Sequence, residues 1–256
     1  GRMPREQRCD RERHENFSPR VLYFGSSLTV GSIRTSRHVS ACPAPDSLAN
    51  SPEEPPCPSS PASSAPAPRS SVLAAPGDDA ADIQALLDED EAVICLSGTF
   101  PISAPLTADH DVTLFSASSA VLDGGGSSAV FDATGTIELR LEGLIVQNAG
   151  GAITAAIDAY TVYATDSVFQ DNTGEEGGAI AAYTAYSERS PFLDNESTSG
   201  PGAAINAYAA VIGDSTFDGN ASSEFGGAVY GSDIVIVENS TFVDNESGEY
   251  GGAIYA

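Results

Sequence analysis

The chain has 256 residues, 36 of them acidic and 11 basic, with a formal charge of −25. Every basic residue is Arg, and a chain this acidic excludes nucleic-acid binding, because a phosphate backbone requires a basic face. No apolar run reaches the roughly 18 residues of a membrane-spanning helix, and 41% hydrophobic residues are enough to build a core.

The charge is unevenly placed. Residues 1–71 hold nine Arg and seven acids, whereas 72–256 hold two Arg (Arg140 and Arg189) and 29 acids. The opening carries Arg2, Arg5, Arg8, Arg11, Arg13 and Arg20, then a mildly apolar run from Val21 to Ile33, then Val39-Ser40-Ala41 directly before Cys42. Basic region, apolar region and small-residue site make the outline of a secretory signal over 1–41. A disordered basic tail is the alternative. Val39-Ser40-Ala41-Cys42 also resembles a bacterial lipoprotein box, which implies lipidation at Cys42. Over 41–71, 23 of 31 residues are Pro, Ser or Ala. Such a segment buries too little apolar surface to offset its ordering entropy, so 42–71 reads as an extended linker. The four Cys form no metal-ligand spacing, and Cys95, inside an apolar run, reads as a small buried residue. His14, His38 and His110 are scattered, so no metal centre is expected.

An all-β domain is expected over 72–256. It opens with a helix over 78–89, where Ile83, Leu86 and Leu87 fall at helical spacing behind Asp78 or Asp79 as N-cap. That helix would plug the open end of the β-structure built by the rest of the domain. Strands are expected at Val93–Leu96 and Val112–Phe115, and a strand-to-turn exit at Val121–Gly126. Ile137–Leu141 and Asp233–Val237 have the β-branched or alternating pattern of strands.

The decisive feature is an internal repeat. Gly-Gly-Ala-Ile at 150–153 recurs at 177–180, as Gly-Ala-Ala-Ile at 202–205, Gly-Gly-Ala-Val at 226–229 and Gly-Gly-Ala-Ile at 251–254. Phe-x-x-Asn interleaves with it at Phe169/Asn172, Phe192/Asn195, Phe217/Asn220 and Phe242/Asn245, and Ile145/Asn148 reads as an earlier copy. A unit of about 24 residues with short strands and Gly/Asn/Asp turns reads as one coil of a parallel β-helix. Coils stacked about 4.8 Å apart bring equivalent residues into columns. Phe169, Phe192, Phe217 and Phe242 would stack inside. Asn148, Asn172, Asn195, Asn220 and Asn245 would form an amide ladder.

The alternating motifs over 145–256 resemble the repeats of the polymorphic outer-membrane proteins first known from chlamydiae. The stretch 78–148 resembles the opening of the pectin-lyase-like right-handed single-stranded parallel β-helix superfamily. The first resemblance implies a secreted or cell-surface, adhesin-like passenger that contacts a glycan or protein. Attachment would be by lipid at Cys42 or by a C-terminal membrane barrel beyond Ala256, where the chain stops inside a motif. The superfamily also includes polysaccharide lyases and glycoside hydrolases, so a carbohydrate-active enzyme is the alternative, and a structural envelope component the third reading. No catalytic residue or cofactor is expected.

Two surfaces are candidates for binding. Tyr183, Tyr208, Tyr230 and Tyr255 fall an odd number of residues after the inward Ile or Val, and should face outward in one column able to contact a sugar or a protein, although Tyr as a good strand residue on a half-exposed surface is the preferred explanation. Asp171, Asp194 and Asp244 share one repeat position, with Asp218 one residue early. They are weak candidate calcium ligands, because calcium takes oxygen donors, and a solvated acidic face is the preferred explanation. Four Asn-x-Ser/Thr acceptors, at Asn195, Asn220, Asn239 and Asn245, read as a by-product of the repeat.

Overall fold

The computed structural model describes residues 71–72, 79–133, 135–151 and 154–256. The expected signal or basic tail over 1–41, Cys42 and the linker up to residue 70 lie outside the described residues.

A helix, α1, runs over Ala80–Asp88. Asp79 is its N-cap, and a capping box forms because the Asp79 side chain accepts from the Ala81 N–H while Asp82 accepts from the Asp79 N–H. Its apolar stripe buries Ile83 and Leu87 in the core beside Ile94 and Leu96, while Leu86 packs partly exposed at the margin. Gln84 fixes the helix to the first coils by donating to the Thr107 carbonyl and accepting from the Thr107 N–H, at 3.0 and 2.9 Å.

All strands beyond the helix pair in parallel, and each coil docks on the one before. Long strands at Val112–Asp123, Glu138–Gln147, Ile157–Thr165, Ile180–Glu188, Ile205–Gly213 and Val229–Glu238 alternate with short ones that carry the Phe positions. Val93–Cys95 is a short strand in the first coil, paired on its other side with Ser71–Val72. The strand that opens at Val112 extends to Asp123, well past Phe115, because a register shift between Phe115 and Ala120 lets two pairing segments join.

Pairing registers generate columns seven residues long. One runs Phe100–Leu122–Val146–Phe169–Phe192–Phe217–Phe242. Another runs Ile94–Leu114–Leu141–Ala164–Ser187–Ile212–Val237. A third runs Leu106–Phe131–Ile157–Ile180–Ile205–Val229–Ile254. These columns are the core: nearly every member is below 5% exposed, and exposure rises only in the last coil. The fold is thus a parallel β-solenoid of seven coils, each burying one strip of a continuous interior.

The register corrects the first copy of both motifs. Ile180 pairs with Ile157, not with Ile153. Thr154-Ala155-Ala156-Ile157 therefore occupies the Gly-Gly-Ala-Ile position of its coil, and Gly150-Gly151 belongs to a preceding turn. Likewise Phe169 pairs with Val146, not with Ile145. Strand alternation decides this, since Val146 points into the core and Ile145 is half-exposed.

Cys95 is buried, and it is disulfide-bonded rather than a free thiol. Cys9, Cys42 and Cys57 lie outside the described residues.

Candidate functional site

Two corners of each coil use left-handed backbone. The first corner holds Asp166, Arg189, Asp214 and Asn239, with φ of 49–51°. The second holds Asn148, Asp171, Asp194, Gly219 and Asp244, with φ of 49–68°. Asn, Asp and Gly are the residues that enter this region at least cost. Asn148 therefore shares the column of Asp171 and is not part of the amide ladder. Its Nδ2 donates to Asp123. Gly219 interrupts the Asp171–Asp194–Asp244 column, so Asp194 and Asp244 stand two coils apart. All three Asp side chains are exposed. Their shared feature is the turn conformation, which accounts for the residue type without a bound cation.

Immediately after the second corner, Asn172, Asn195, Asn220 and Asn245 form a ladder. Nδ2 of each donates to Oδ1 of the next, at 3.0, 2.9 and 2.9 Å. Backbone N–H groups of Asn172, Asn195 and Asn220 donate to the same oxygens. The second Nδ2 hydrogen reaches back to a carbonyl of the preceding coil, such as Phe169 O for Asn195. The ladder begins with Ala149, whose N–H donates to Asn172 Oδ1. Beside it, Phe169, Phe192, Phe217 and Phe242 stack with centroids 4.7–4.8 Å apart and rings within 5° of parallel.

A serine column, not singled out from the sequence, satisfies the first corner. Ser190, Ser215 and Ser240 each accept from the N–H of the serine one coil earlier, at 3.1–3.2 Å. They donate to carbonyls two residues upstream. The signal was present as Ser two residues before every repeat Phe.

The outer face carries the tyrosines, in two columns rather than one. Tyr160, Tyr183 and Tyr208 stack at 4.9 and 4.7 Å. Tyr230 and Tyr255 form a separate pair at 5.9 Å, flanked by Phe225 and Tyr250. Tyr230 is in register with Asn206, two residues before Tyr208. An extra residue in the Val229–Glu238 strand shifts the register between Ala207 and Ala209, so Tyr208 meets Ser232 and Asp233. The Asp233 charge pushes the Tyr208 phenol up, and a hydrogen bond between them adds to this. Tyr160 starts the first column and has no place in the motif count, because the copy ending at Ile157 lacks the glycines that mark the others. A third stack, Tyr163–Tyr186 at 4.6 Å, carries Arg140 over the Tyr163 ring at 3.9 Å.

A groove of about 400 Å³ runs beside the first tyrosine column. Tyr160, Tyr183 and Tyr208 line it together with Ala181, Asn206 and Glu176. Asp158 enters the same groove half-buried. Burial pushes its carboxyl up, and the Asp132 and Glu176 charges push the same way. A second, larger groove of about 600 Å³ lies along the glycine turns by Asp123, Asn148 and Asp171. There, burial opposes ionisation of Asp123, but hydrogen bonds from Gln147, the Gly125 N–H and Asn148 outweigh it and hold the carboxyl below its ordinary value.

The two Arg of the acidic region are both engaged. Arg140 pairs with Glu138. Arg189 makes two contacts to Asp166, at 2.7 and 2.9 Å, and one to Glu188. The Asp166 hydrogen bond is the first cause holding its guanidinium above the ordinary value. His110 is less isolated than its sequence position implies. Its Nδ1 lies 3.4 Å from Asp109 and 3.8 Å from Asp90, three side chains whose polar atoms fit around one cation. Both carboxylates are almost fully exposed. Among the described residues, no helix is long and apolar enough to cross a membrane.

Against this geometry, the Chlamydia polymorphic membrane protein (Chlamydia_PMP) repeat matches residues 214–232 and 239–256. The matched segments contain Ser215, Phe217 and Asn220 with Gly226–Val229, then Ser240, Phe242 and Asn245 with Gly251–Ile254. These are the residues of the serine, phenylalanine and asparagine columns. The chain thus carries repeats similar to those of a family named for its membrane proteins, folded as a parallel β-solenoid. No curated protein and no solved structure matches the chain.

Proposed function

We propose that this protein is a secreted or outer-surface, adhesin-like protein whose solenoid is a non-catalytic binding surface. The observation that carries the reading is the coincidence of the matched repeat with the structural columns. The residues that recur are those that stack coils, so the repeat serves to build a long rigid face. That leaves the outer face free to vary, and it varies into exposed tyrosines and acids.

Two further observations favour binding over chemistry. A polyuronate lyase requires a basic side chain at the abstracted proton, and Arg140 and Arg189 are held by carboxylates. The acids at the corners follow the backbone conformation coil after coil, whereas a catalytic pair would break the repeat. Tyrosines stacked face to face also present ring edges and hydroxyls outward, not ring faces. A partner of this column therefore meets a row of phenol groups, which suits hydrogen bonding to a protein or to sugar hydroxyls better than sugar stacking.

The test has two parts. Antibody against the solenoid should label intact, unpermeabilised cells, and the protein should fractionate with the envelope or the medium. Replacing Tyr160, Tyr183 and Tyr208 together by Ser should reduce adhesion of protein-coated beads to host surfaces by more than half while leaving the far-UV spectrum unchanged. An intracellular, unlabelled protein overturns the surface reading, and full adhesion by the triple variant overturns the tyrosine column as its contact.

A further inference from the structure

The groove beside Tyr160–Tyr183–Tyr208 has a chemical polarity that the adhesin reading does not specify. Asp132 and Asp158 occupy adjacent rungs of one column, so their backbones lie one strand spacing, about 4.8 Å, apart. The next rungs are Ala181 and Asn206. The column is thus doubly acidic at one end, empty of side-chain bulk at Ala181, and neutral beyond. Glu176 adds a third acid at the margin. Among the described residues, no basic side chain pairs with Asp132, Asp158 or Glu176. Tyr160, two residues after Asp158 on the same strand, brings the aromatic column beside this acidic end, and Ala181 also lines the groove.

We propose that this groove receives an arginine side chain from an extended, basic segment of a partner protein. The guanidinium would meet Asp158, with Asp132 on the rung before it and Glu176 at the margin, and its aliphatic stem would lie along Ala181 and the tyrosine edges. Several features favour this occupant. Two carboxylates on adjacent rungs offer paired acceptors for the fork of guanidinium donors. Tyr160 begins its stack, so among the described residues no ring covers its outer face, and Arg stacks on such a face. Burial first, and then the Asp132 and Glu176 charges, raise the proton affinity of Asp158, a deficit of counter-charge added to desolvation. A neutral glycan would leave that deficit in place, while a cation removes it. Parallel rungs with a spacing of about 4.8 Å also allow an extended segment to lie along the groove. The inference rests on the adhesin reading for the source of the segment, though not for the chemistry of the groove.

The experiment uses the full chain and a fluorescent capped peptide with arginine at alternate positions, titrated at 150 mM salt. Against so acidic a protein, unspecific attraction must be separated from the groove. The double variant Asp132→Asn/Asp158→Asn is therefore compared with Asp171→Asn/Asp214→Asn. The latter removes the same charge at two corner positions where Asn148 and Asn239 already occur naturally. We expect the groove variant to weaken binding at least tenfold and the corner variant less than twofold. Tyr160→Ser should weaken it severalfold, and a lysine version of the peptide should bind more weakly than the arginine one. Equal loss in both double variants, or no measurable binding by the parent chain, overturns the proposal. Circular dichroism of each variant excludes misfolding as the cause. If the groove fails this test while bead adhesion persists, the occupant alone is wrong. If adhesion fails while the peptide binds as expected, the surface reading alone is wrong.

Discussion

Asn195 offers the sharpest test of how the coils are joined. It is 1% exposed, and its Oδ1 accepts from both the N–H and the Nδ2 of Asn172 at 3.2 and 3.0 Å. Asn195→Ala removes that acceptor. Asn172 is itself fully buried, so two donors lose their partner where water cannot replace it. At about 1–3 kcal/mol for each orphaned buried donor, the cost is about 2–6 kcal/mol. Asn245→Ala removes the same acceptor from Asn220. Asn245 is only half-buried, water can enter in its place, and the expected cost is about 0.5–1.5 kcal/mol. Urea unfolding of the full chain, followed by far-UV circular dichroism, gives both values, and exchange of the Asn172 amide locates the effect. Asn195→Asp adds a pH signature. The new carboxyl is buried and faces the Phe169 carbonyl and Asn220 Oδ1, which now meet an oxygen instead of a donor. Its folded pKa must rise above the ordinary value of about 3.9. The variant is then most stable below that value and loses stability as pH rises through the folded pKa. If Asn195→Ala costs less than about 1 kcal/mol, or no more than Asn245→Ala, the ladder is not what joins the coils.

Other outcomes rest on the same geometry. Phe192→Ala, buried and stacked on both sides, should cost about 3–5 kcal/mol in urea unfolding, and Phe242→Ala, half-buried with one stacked neighbour, clearly less. Gly226→Ala puts a Cβ against the Val229 carbonyl at a φ of +60°, and should lower the melting temperature and the soluble yield, while Gly213→Ala, with open space around it, should do neither. Asp158→Asn should raise stability at neutral pH. The folded carboxyl titrates above its unfolded value, so the parent's stability is greatest below the unfolded pKa and falls as pH rises through the folded one; that part of the pH dependence should vanish in the variant. In a glycosylating host, glycan mapping should find Asn239 occupied and Asn195 and Asn220 empty, because Asn239 is exposed at a corner while the other two are buried in the ladder.

The period, the parallel pairing, the phenylalanine stack and most of the asparagine ladder are legible because two unlike motifs hold one spacing. The errors lie where a motif recurs by chance out of phase. Gly150–Ile153 looks like a first copy, but its 27-residue distance from the next is the longest in the series. The true copy, Thr154–Ile157, contains neither glycine. Asn148 misleads in the same way, because Asn suits both the left-handed corner and the ladder position beside it. The tyrosine columns are unreadable for a different reason. Outward direction follows from alternation, but alternation does not fix the column: Tyr208 falls three residues after Ile205 and Tyr230 only one after Val229, so Tyr230 is in register with Asn206 before the extra residue near Ser232 is reached. The groove needs both Tyr160 and the pairing of Asp132 with Asp158, and neither belongs to a repeated motif.

The asparagine ladder has a direction. Every Oδ1 is offered backward, to donors of the coil before, while the N–H and one Nδ2 hydrogen of Asn172, Asn195 and Asn220 point forward, to the coil after. A coil laid down at the helix-capped end thus waits with its donors already aligned, and the arriving coil completes them with a single side chain. Assembly in the opposite sense would first place acceptors and leave the donors for later, which is the costlier order, since a buried donor tolerates solitude less well than a carbonyl oxygen. The ladder closes like a zip drawn from its first tooth, in the same order in which a polypeptide leaves a ribosome.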